Sequence, residues 1–134
     1  MGIEAATAAV RDAGENARLN GLDGAVFLEG DVRRVLREVA QGTRVLPEGL
    51  ERPDVVVVDP PRAGLHRRVI ARMGEAGAPR IVYVSCNPTT MAPNIAQLSE
   101  CGYRLTHVTP VDMFPHTPHV EAVAVLARQD PPGS

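Results

Sequence analysis

The feature that most constrains the fold of this chain is a run of four valines, Val55 to Val58, set between two aspartates and followed by two prolines. A half-buried strand alternates apolar and polar residues, whereas this run has no polar position. We therefore expect a strand that is buried on both faces, as in the centre of a parallel sheet between two helix layers. Pro60 and Pro61 lack the backbone N–H that a ladder needs and end the strand.

The rest of the chain alternates between helical and strand patterns. Helices are expected over residues 5–19, 32–40, 67–76 and 89–100, and strands over 25–28, 54–59, 80–85, 103–111 and 120–128. In the first helix, small residues form a stripe suited to close packing on a sheet: Ala5, Ala8, Ala9, Asp12 and Ala13. The order predicts a three-layer α/β sandwich whose mostly parallel sheet ends in two antiparallel strands.

Length and composition exclude several classes of protein. A chain of 134 residues fits one domain, here residues 1–128, with a polar, proline-rich tail at 129–134 that we expect to be flexible. There is no apolar run of about 18 residues and no signal-peptide pattern, so we expect a cytoplasmic protein without a membrane partner. Two cysteines are not a disulfide framework. All 14 basic residues are arginines, but the net charge is −2, so any binding of RNA would have to be local or supplied by another part of a larger protein.

Polar residues collect where the predicted strands end. In open α/β sheets, ligands bind beyond the carboxyl ends of the strands. Four groups occupy such positions: Glu29 with Asp31, the segment 59–62 (DPPR), the segment 85–88 (SCNP), and the segment 116–121 (HTPHVE) before the last strand. The sequence therefore predicts one polar rim.

Cys86 is the candidate nucleophile of this rim. It lies between a strand end and a helix start, where the helix N-terminus favours a thiolate. Asn87 and Pro88 form a rigid turn that presents its side chain. The alternative is a small buried hydrophobic residue, which is the usual place of a free cysteine. For Cys101 a packing role is expected.

The other polar residues of the rim allow two interpretations each. Asp59 either caps the following turn or accepts a hydrogen bond from a ligand. Arg62 either binds phosphate or pairs with a surface carboxylate. Glu121 either lies at an exposed strand end or acts as a general base. His116 and His119 lack a third ligand in the sequence nearby, so no metal site is predicted.

Four motifs resemble the catalytic C-terminal half of the RNA (uracil-5-)-methyltransferase family. They are VVVVDPPRAGL (55–65), IVYVSCNPTTMA (81–92), Gly102-Tyr103 and VDMFPHTPHVEAVAVL (111–126), and residues 2–22 resemble the segment that follows the family's second strand. That family methylates uridines in tRNA and large-subunit rRNA with S-adenosylmethionine. The resemblance implies a Rossmann-like methyltransferase fold with strand order 3-2-1-4-5-7-6, of which the first strand and the glycine-rich loop are missing.

The same resemblance implies roles for residues of the rim. Cys86 would add to C6 of uracil, and Glu121 would be the base that removes the C5 proton. Asp59 would hydrogen-bond the target base or order the pocket. Arg62 and Asn87 would contact the RNA substrate, whose target base must leave any stack to enter the site.

Cofactor binding is also implied by the resemblance. Glu4 would bind the ribose hydroxyls of S-adenosylmethionine, Asp31 would lie at the adenine, and Asp59 would complete the cofactor site. The family's upstream RNA-binding β-barrel and central insert domain have no counterpart in this chain, so we expect methyl transfer to require those missing N-terminal domains. At Pro93-Asn94 the chain departs from the Arg-Asp pair that the family often has.

Two rival functions and one structural question remain open. An amino-methyltransferase of adenine or guanine would carry an aromatic residue where Arg62 stands, and a non-catalytic binding module would not bind S-adenosylmethionine in a titration. Without the family's first strand, the valine strand exposes an edge. Either the 25–28 strand pairs with it within one chain, or two chains pair as a homodimer.

Overall fold

The computed structural model describes residues 1–50, 53–117 and 119–129. Of the predicted flexible tail, Gln129 is described and residues 130–134 lie outside the described residues. The elements are β1 (Gly2–Glu4), α1 (Thr7–Leu19), β2 (Phe27–Glu29), α2 (Val32–Ala40), β3 (Val55–Val58), α3 (Arg67–Ala76), β4 (Arg80–Ser85), α4 (Pro88–Glu100), β5 (Tyr103–Val111) and β6 (Glu121–Arg128). Two compact units divide the chain: an N-terminal unit, Met1–Glu51, and a C-terminal unit, Arg52–Ser134.

The N-terminal unit is built on a two-stranded parallel sheet. β1 pairs with β2 in a register that sets Gly2 opposite Phe27 and Glu4 opposite Glu29. Glycine is required at position 2, because a Cβ there would lie 2.9 Å from the Phe27 ring. Both helices of the unit pack on this sheet, α1 on both strands and α2 on β1.

The buried face of α1 differs from the predicted stripe. Ala17 is buried and Val10 and Ala13 are half-buried, whereas Ala5, Ala8, Ala9 and Asp12 are exposed. Residues 10, 13 and 17 share one side of a helix. The face with Val10 removes more apolar surface from water when it is buried than the predicted alanine stripe would. For this reason α1 packs on the sheet through the face that contains Val10.

The C-terminal unit contains a four-stranded sheet in the order β3-β4-β6-β5. β3 and β4 are parallel, and β6 is antiparallel to both β4 and β5, with an irregularity between Leu105 and His107. The antiparallel end of the sheet was predicted, but this sheet is not mostly parallel, because one of its three strand pairings is parallel and two are antiparallel. The two sheets have the orders β1-β2 and β3-β4-β6-β5, and strand β1 at residues 2–4 was not predicted from the sequence.

The core of the C-terminal unit lies on one face of its sheet. Alternate residues of β4 and β6 are buried and stand opposite each other, as Ile81 does with Leu126 and Tyr83 with Ala124. The helices supply the other layer, with α3 packed on α4 and α4 on β5. Their buried side chains are Val69, Ile70, Met73, Met91 and Leu98.

The prediction that the valine strand is buried on both faces is wrong. Val55 is 46% exposed and Val57 is 66% exposed, whereas Val56 and Val58 are half-buried. The physical reason is the position of β3: it is the terminal strand of its sheet, and the helices of this unit cover one face. The 25–28 strand does not close that edge, because β2 pairs with β1 instead.

No helix among the residues that the structure describes is long and apolar enough to cross a membrane.

Candidate active site

Three adjacent strand ends of the C-terminal unit form the candidate site. The last pair between β4 and β6 is Ser85 with Ala122. Cys86 follows Ser85 and Glu121 precedes Ala122 in the chain, so both residues lie just beyond this last pair, at the same end of the two strands. β3 ends at Val58, which pairs with Tyr83, and Asp59 follows it at the same edge. The sheet register thus places Asp59, Cys86 and Glu121 along one edge.

Cys86 lies in a turn whose flanking residues are fixed by hydrogen bonds. The Ser85 Oγ atom accepts a bond from the Asn87 backbone N–H at 3.0 Å and donates to the Asn87 carbonyl at 3.1 Å. Asn87 caps α4 by accepting a bond from the Thr89 N–H at 3.2 Å, and Pro88 opens the helix. The half-buried Cys86 side chain is therefore carried by a rigid turn directly before a helix, as predicted.

The turn of Cys86 is fastened to the loop that follows β3. The Asn87 side-chain amide donates to the Arg62 carbonyl at 3.3 Å, and the Thr90 hydroxyl donates to the same carbonyl at 3.0 Å. Asn87 thereby joins the two loops of the candidate site.

Asn94 holds the same loop from a buried position in α4. Its Oδ1 accepts from the Leu65 N–H at 2.7 Å and from the Tyr83 hydroxyl at 2.9 Å, and its Nδ2 donates to the Leu65 carbonyl at 3.1 Å. Gly64 has φ of 76°, and a Cβ there would lie 2.5 Å from Asn94 Oδ1, so the close approach requires glycine. The side chain of Asn94 is thus a structural clamp.

Sequence reasoning noted Asn94 only as a departure from the family's usual pair. A usable signal was present, because a polar amide within an amphipathic helix is a poor helix former unless its side chain is bonded elsewhere. The partner that would have revealed its role, Leu65, is 29 residues away.

The side chains of Asp59 and Arg62 are exposed, and neither has a hydrogen bond or ion pair with the described part of the chain. The structure therefore shows neither the turn cap considered for Asp59 nor the surface ion pair considered for Arg62. Both groups are accessible to a ligand.

Glu121 and the histidines before it differ in setting. Glu121 is half-buried at the start of β6, where it pairs with Val111 of β5. His116 has the left-handed φ of 69°, and the His119 N–H bonds to the Thr117 hydroxyl at 3.3 Å. Within the described ranges, no three His, Cys, Asp or Glu side chains are grouped as metal ligands would be.

The N-terminal unit has its own carboxylates at the ends of its strands. The Glu4 side chain accepts a bond from the Ala6 N–H through Oε1 at 2.8 Å, and Glu29 accepts from the Thr7 hydroxyl at 3.0 Å. This bond orients the Glu4 side chain at the carboxyl end of β1, and its second oxygen has no hydrogen bond from the described residues. Carboxylate acceptors of this kind fit the vicinal hydroxyls of a ribose.

Asp31 has a structural role in the same unit. It is the N-cap of α2, where Oδ1 accepts from the Arg34 N–H at 3.1 Å, and it pairs with the Arg33 guanidinium at 3.2 Å. The bond from Arg33 lowers the pKa of this carboxyl, with help from the Arg34 N–H. The carboxylate of Asp31, which is expected to contact adenine, thus already has two partners within the chain, the Arg34 N–H and the Arg33 guanidinium.

Comparison with known proteins identifies the family to which this chain is similar. A sequence model described as tRNA (Uracil-5-)-methyltransferase matches residues 48–129. An RNA methyltransferase of Porphyromonas gingivalis is 47% identical over 129 residues, and one of Clostridium tetani is 43% identical over 130. The alignments cover 96% and 97% of this chain but 26% of each relative.

The chain is also similar to a solved structure, that of the Pyrococcus abyssi tRNA (uracil-54, C5)-methyltransferase in complex with S-adenosyl-L-homocysteine. The TM-score is 0.73 at 39% identity, covering 93% of this chain and 28% of that protein. More distant methyltransferases, 14% and 16% identical, share the fold alone. The expected Rossmann-like methyltransferase fold is confirmed.

Proposed function

The chain belongs to the tRNA (uracil-5-)-methyltransferase family, and from that premise we propose that it supplies the catalytic residues for methylation of uridine C5 in RNA. It spans about a quarter of the length of the curated relatives that it matches. The proposal therefore concerns the chemistry of this part of the protein.

The observation that carries the proposal is the register of β4 against β6. Because Ser85 pairs with Ala122, a nucleophilic thiol and a carboxylate follow on neighbouring strands, at positions 86 and 121. C5 methylation needs a thiol and a carboxylate of the protein within reach of the same uracil ring. The thiol must attack C6, and the carboxylate must remove a proton from C5. Methylation of an exocyclic amine needs neither, so the adenine or guanine amino-methyltransferase is disfavoured.

The reaction that we propose begins at the Cys86 sulfur. The Cys86 thiolate adds to C6 and pushes the C5=C6 electron pair towards C5 and O4, which makes C5 nucleophilic. S-adenosylmethionine supplies, when bound, the methyl group that C5 takes up. The Glu121 carboxylate then takes the C5 proton, and the electrons of that C–H bond re-form C5=C6 and expel the Cys86 thiolate. We assign Asp59, Arg62 and Asn87 to positioning of the RNA substrate.

For the cofactor, we propose that Glu4 binds the ribose hydroxyls, in keeping with its oriented carboxylate. We retain Asp59 and Asp31 as further cofactor contacts, Asp31 through whichever lone pairs its cap and ion pair leave open. The full reaction is proposed to involve further domains, in the cytoplasm.

Hydrogen–deuterium exchange at uridine C5 tests the proposal without any cofactor. Reversible addition of Cys86 to C6 lets C5 take a deuteron from solvent, and elimination then leaves deuterated uridine. We expect the 134-residue chain to catalyse this exchange in a uridine-containing RNA in D₂O, followed by mass spectrometry. Cys86→Ala should abolish it, and Glu121→Gln should slow it by about 10²–10⁴-fold.

Cys101→Ala is the matched control and should exchange C5 as the wild type does, because Cys101 ends α4 away from the rim. If the folded wild-type chain gives no exchange above RNA alone, the proposal is wrong and the non-catalytic binding module is favoured. Equal loss in Cys101→Ala would contradict the assignment of Cys86.

We also propose that the free edge of β3 pairs with a second copy of the chain. Among the described strands, β3 is hydrogen-bonded to β4 alone. Its own residues Val55 and Val57 have exposed side chains. Unprotected apolar edges recruit other strands. Light scattering after size exclusion should show a dimer, and Val57→Lys should shift it to monomer; a monomeric wild type at high concentration would contradict the homodimer.

A further inference from the structure

The arginines of this chain fall into two groups that differ in their electrostatic partners. A carboxylate lies within 4 Å of the guanidinium of Arg11, Arg18, Arg33, Arg34, Arg44 and Arg72. Arg128 lies over the Tyr103 ring. Among the described residues, the arginines with neither kind of partner are Arg37, Arg62, Arg67, Arg68, Arg80 and Arg104. Half of these lie within residues 62–68.

The segment that contains them has a local charge opposite to that of the chain. No acidic residue occurs between Asp59 and Glu75, an interval with four arginines, although the net charge of the whole chain is −2. The side chains of Arg62, Arg67 and Arg68 are all exposed. Arg72 is paired with Glu75, whereas Arg62, Arg67 and Arg68 have no carboxylate partner among the described residues, so the part of the surface that these three form is positive.

Helix stability does not account for Arg67 and Arg68. They form the first turn of α3, which has no acidic residue, and cations are unfavourable at a helix N-terminus. The cap is provided by His66, whose Nδ1 accepts a bond from the Arg68 N–H at 3.1 Å. The two guanidinium groups thus lie where a positive charge reduces the stability of α3.

The position of the segment relates it to the candidate site. The Arg62 carbonyl is bonded to Asn87 and Thr90, which belong to the turn after Cys86. Arg67 and Arg68 follow five and six residues later, after the Leu65 backbone that Asn94 clamps. The positive surface therefore adjoins the turn that carries the nucleophile.

We propose that Arg67 and Arg68, continuing from Arg62, bind the phosphate backbone of the RNA next to the target uridine. The inference rests on the proposed function, which places a uridine at Cys86. Planar guanidinium groups bind phosphate through two parallel hydrogen bonds. Contacts of this kind position a nucleic acid without reading its bases, so the surface contributes affinity and orientation and no sequence preference.

The test is the salt dependence of RNA binding by the full 134-residue chain, measured by fluorescence anisotropy with a uridine-containing hairpin and with a hairpin of unrelated loop sequence. The Arg67→Ala/Arg68→Ala variant should bind both RNAs more weakly by the same factor. The slope of log Kobs against log[salt] should become less steep by about 1.4, since each single-strand phosphate contact contributes about 0.7. The thermal midpoint of the Arg67→Ala/Arg68→Ala variant should equal or exceed that of the wild type.

Arg80→Ala/Arg104→Ala is the matched control, because it removes the same charge. Arg80 begins β4 and Arg104 lies near the start of β5, at the end of the sheet opposite Cys86. This variant should retain the wild-type slope. Equal slopes for all three proteins, equal losses in both variants, or no RNA binding by the wild type would each overturn the proposal.

The two proposals fail separately. C5 exchange with an unchanged slope in Arg67→Ala/Arg68→Ala refutes the phosphate surface and leaves the proposed function standing. A reduced slope in a chain without C5 exchange supports an RNA surface on a non-catalytic module.

Discussion

The two units of the chain are stabilised in different ways. The N-terminal unit has strands of three residues and two buried apolar side chains among its described residues, Ala17 and Val35. Of its five described ion pairs, four have at least one exposed partner and one, Arg44 with Glu38, is half-buried. The C-terminal unit has strands of four to nine residues, a continuous apolar core, and one ion pair among the residues described, Arg72 with Glu75.

The difference is in the interactions that stabilise each unit: buried apolar side chains are numerous in the C-terminal unit, whereas ion pairs are numerous in the N-terminal unit. Exposed ion pairs each contribute little free energy and are screened by salt. Buried apolar side chains contribute about 1.5–3 kcal/mol each. Cys86 and Glu121, the residues proposed as nucleophile and base, therefore lie on the unit with the larger apolar core. We expect the unit that carries the carboxylates proposed for the cofactor to open at a lower cost in free energy.

The largest effect is expected from truncation of the C-terminal core. Ile81 is fully buried, and Ile81→Ala should reduce the free energy of unfolding by about 2–5 kcal/mol, because it removes apolar contacts and leaves a cavity. Val35→Ala in the N-terminal unit should cost about 1.6 kcal/mol, from two methyl groups at about 0.8 each. Amide hydrogen exchange, measured separately for the amides of each unit, reports the loss of stability caused by each variant. Equal losses would contradict the comparison.

An effect of comparable size is expected at the buried clamp of the site. Asn94→Ala leaves the Leu65 N–H and the Tyr83 hydroxyl without their partner, at about 1–3 kcal/mol for each group left unsatisfied. Tyr83→Phe removes one bond and leaves the Leu65 contacts intact, so it should cost about 1 kcal/mol.

Urea unfolding measures both variants, and C5 exchange reports the site itself. Exchange should fall in Asn94→Ala and persist in Tyr83→Phe. If both variants exchange as the wild type does, Asn94 supports the fold and has no influence on the site.

The smallest effects are expected from pH, with opposite signs in the two units. Burial raises the pKa of Tyr83 and Tyr103, which are both in the C-terminal unit. Above the unfolded value of about 10, the unfolded chain releases these protons first, so stability falls as pH rises towards the folded pKa values. Arg33 lowers the pKa of Asp31, so its contribution is present above the ordinary aspartate value and is lost as pH falls through the lowered one.

Circular dichroism during urea unfolding at a series of pH values checks these signs. Tyr83→Phe and Tyr103→Phe should each flatten the alkaline loss, and Asp31→Asn should flatten the acidic one. An alkaline loss that is unchanged in both phenylalanine variants would show that the buried phenols do not cause it.

Several elements were predictable from the sequence with their boundaries. The helix bounds 32–40 and 67–76 and the strand bounds 80–85 and 103–111 agree with the structure, because caps, prolines and apolar periodicity are local signals. The turn of Cys86 is local in the same sense: Ser85, Asn87 and Pro88 determine it within four residues.

The tertiary structure decided what depends on distant partners. Four valines in succession determine a strand, but whether both faces are buried depends on how many neighbours and helix layers that strand receives, and β3 is terminal. The contacts of Asn94 with Leu65, and the pairing of Ser85 with Ala122 that sets Cys86 and Glu121 at one edge of the sheet, likewise arise from sheet register and helix packing. A sequence specifies local backbone preferences directly, whereas such juxtapositions exist only after segments far apart in the chain have paired and the free energy of their common core has selected one register.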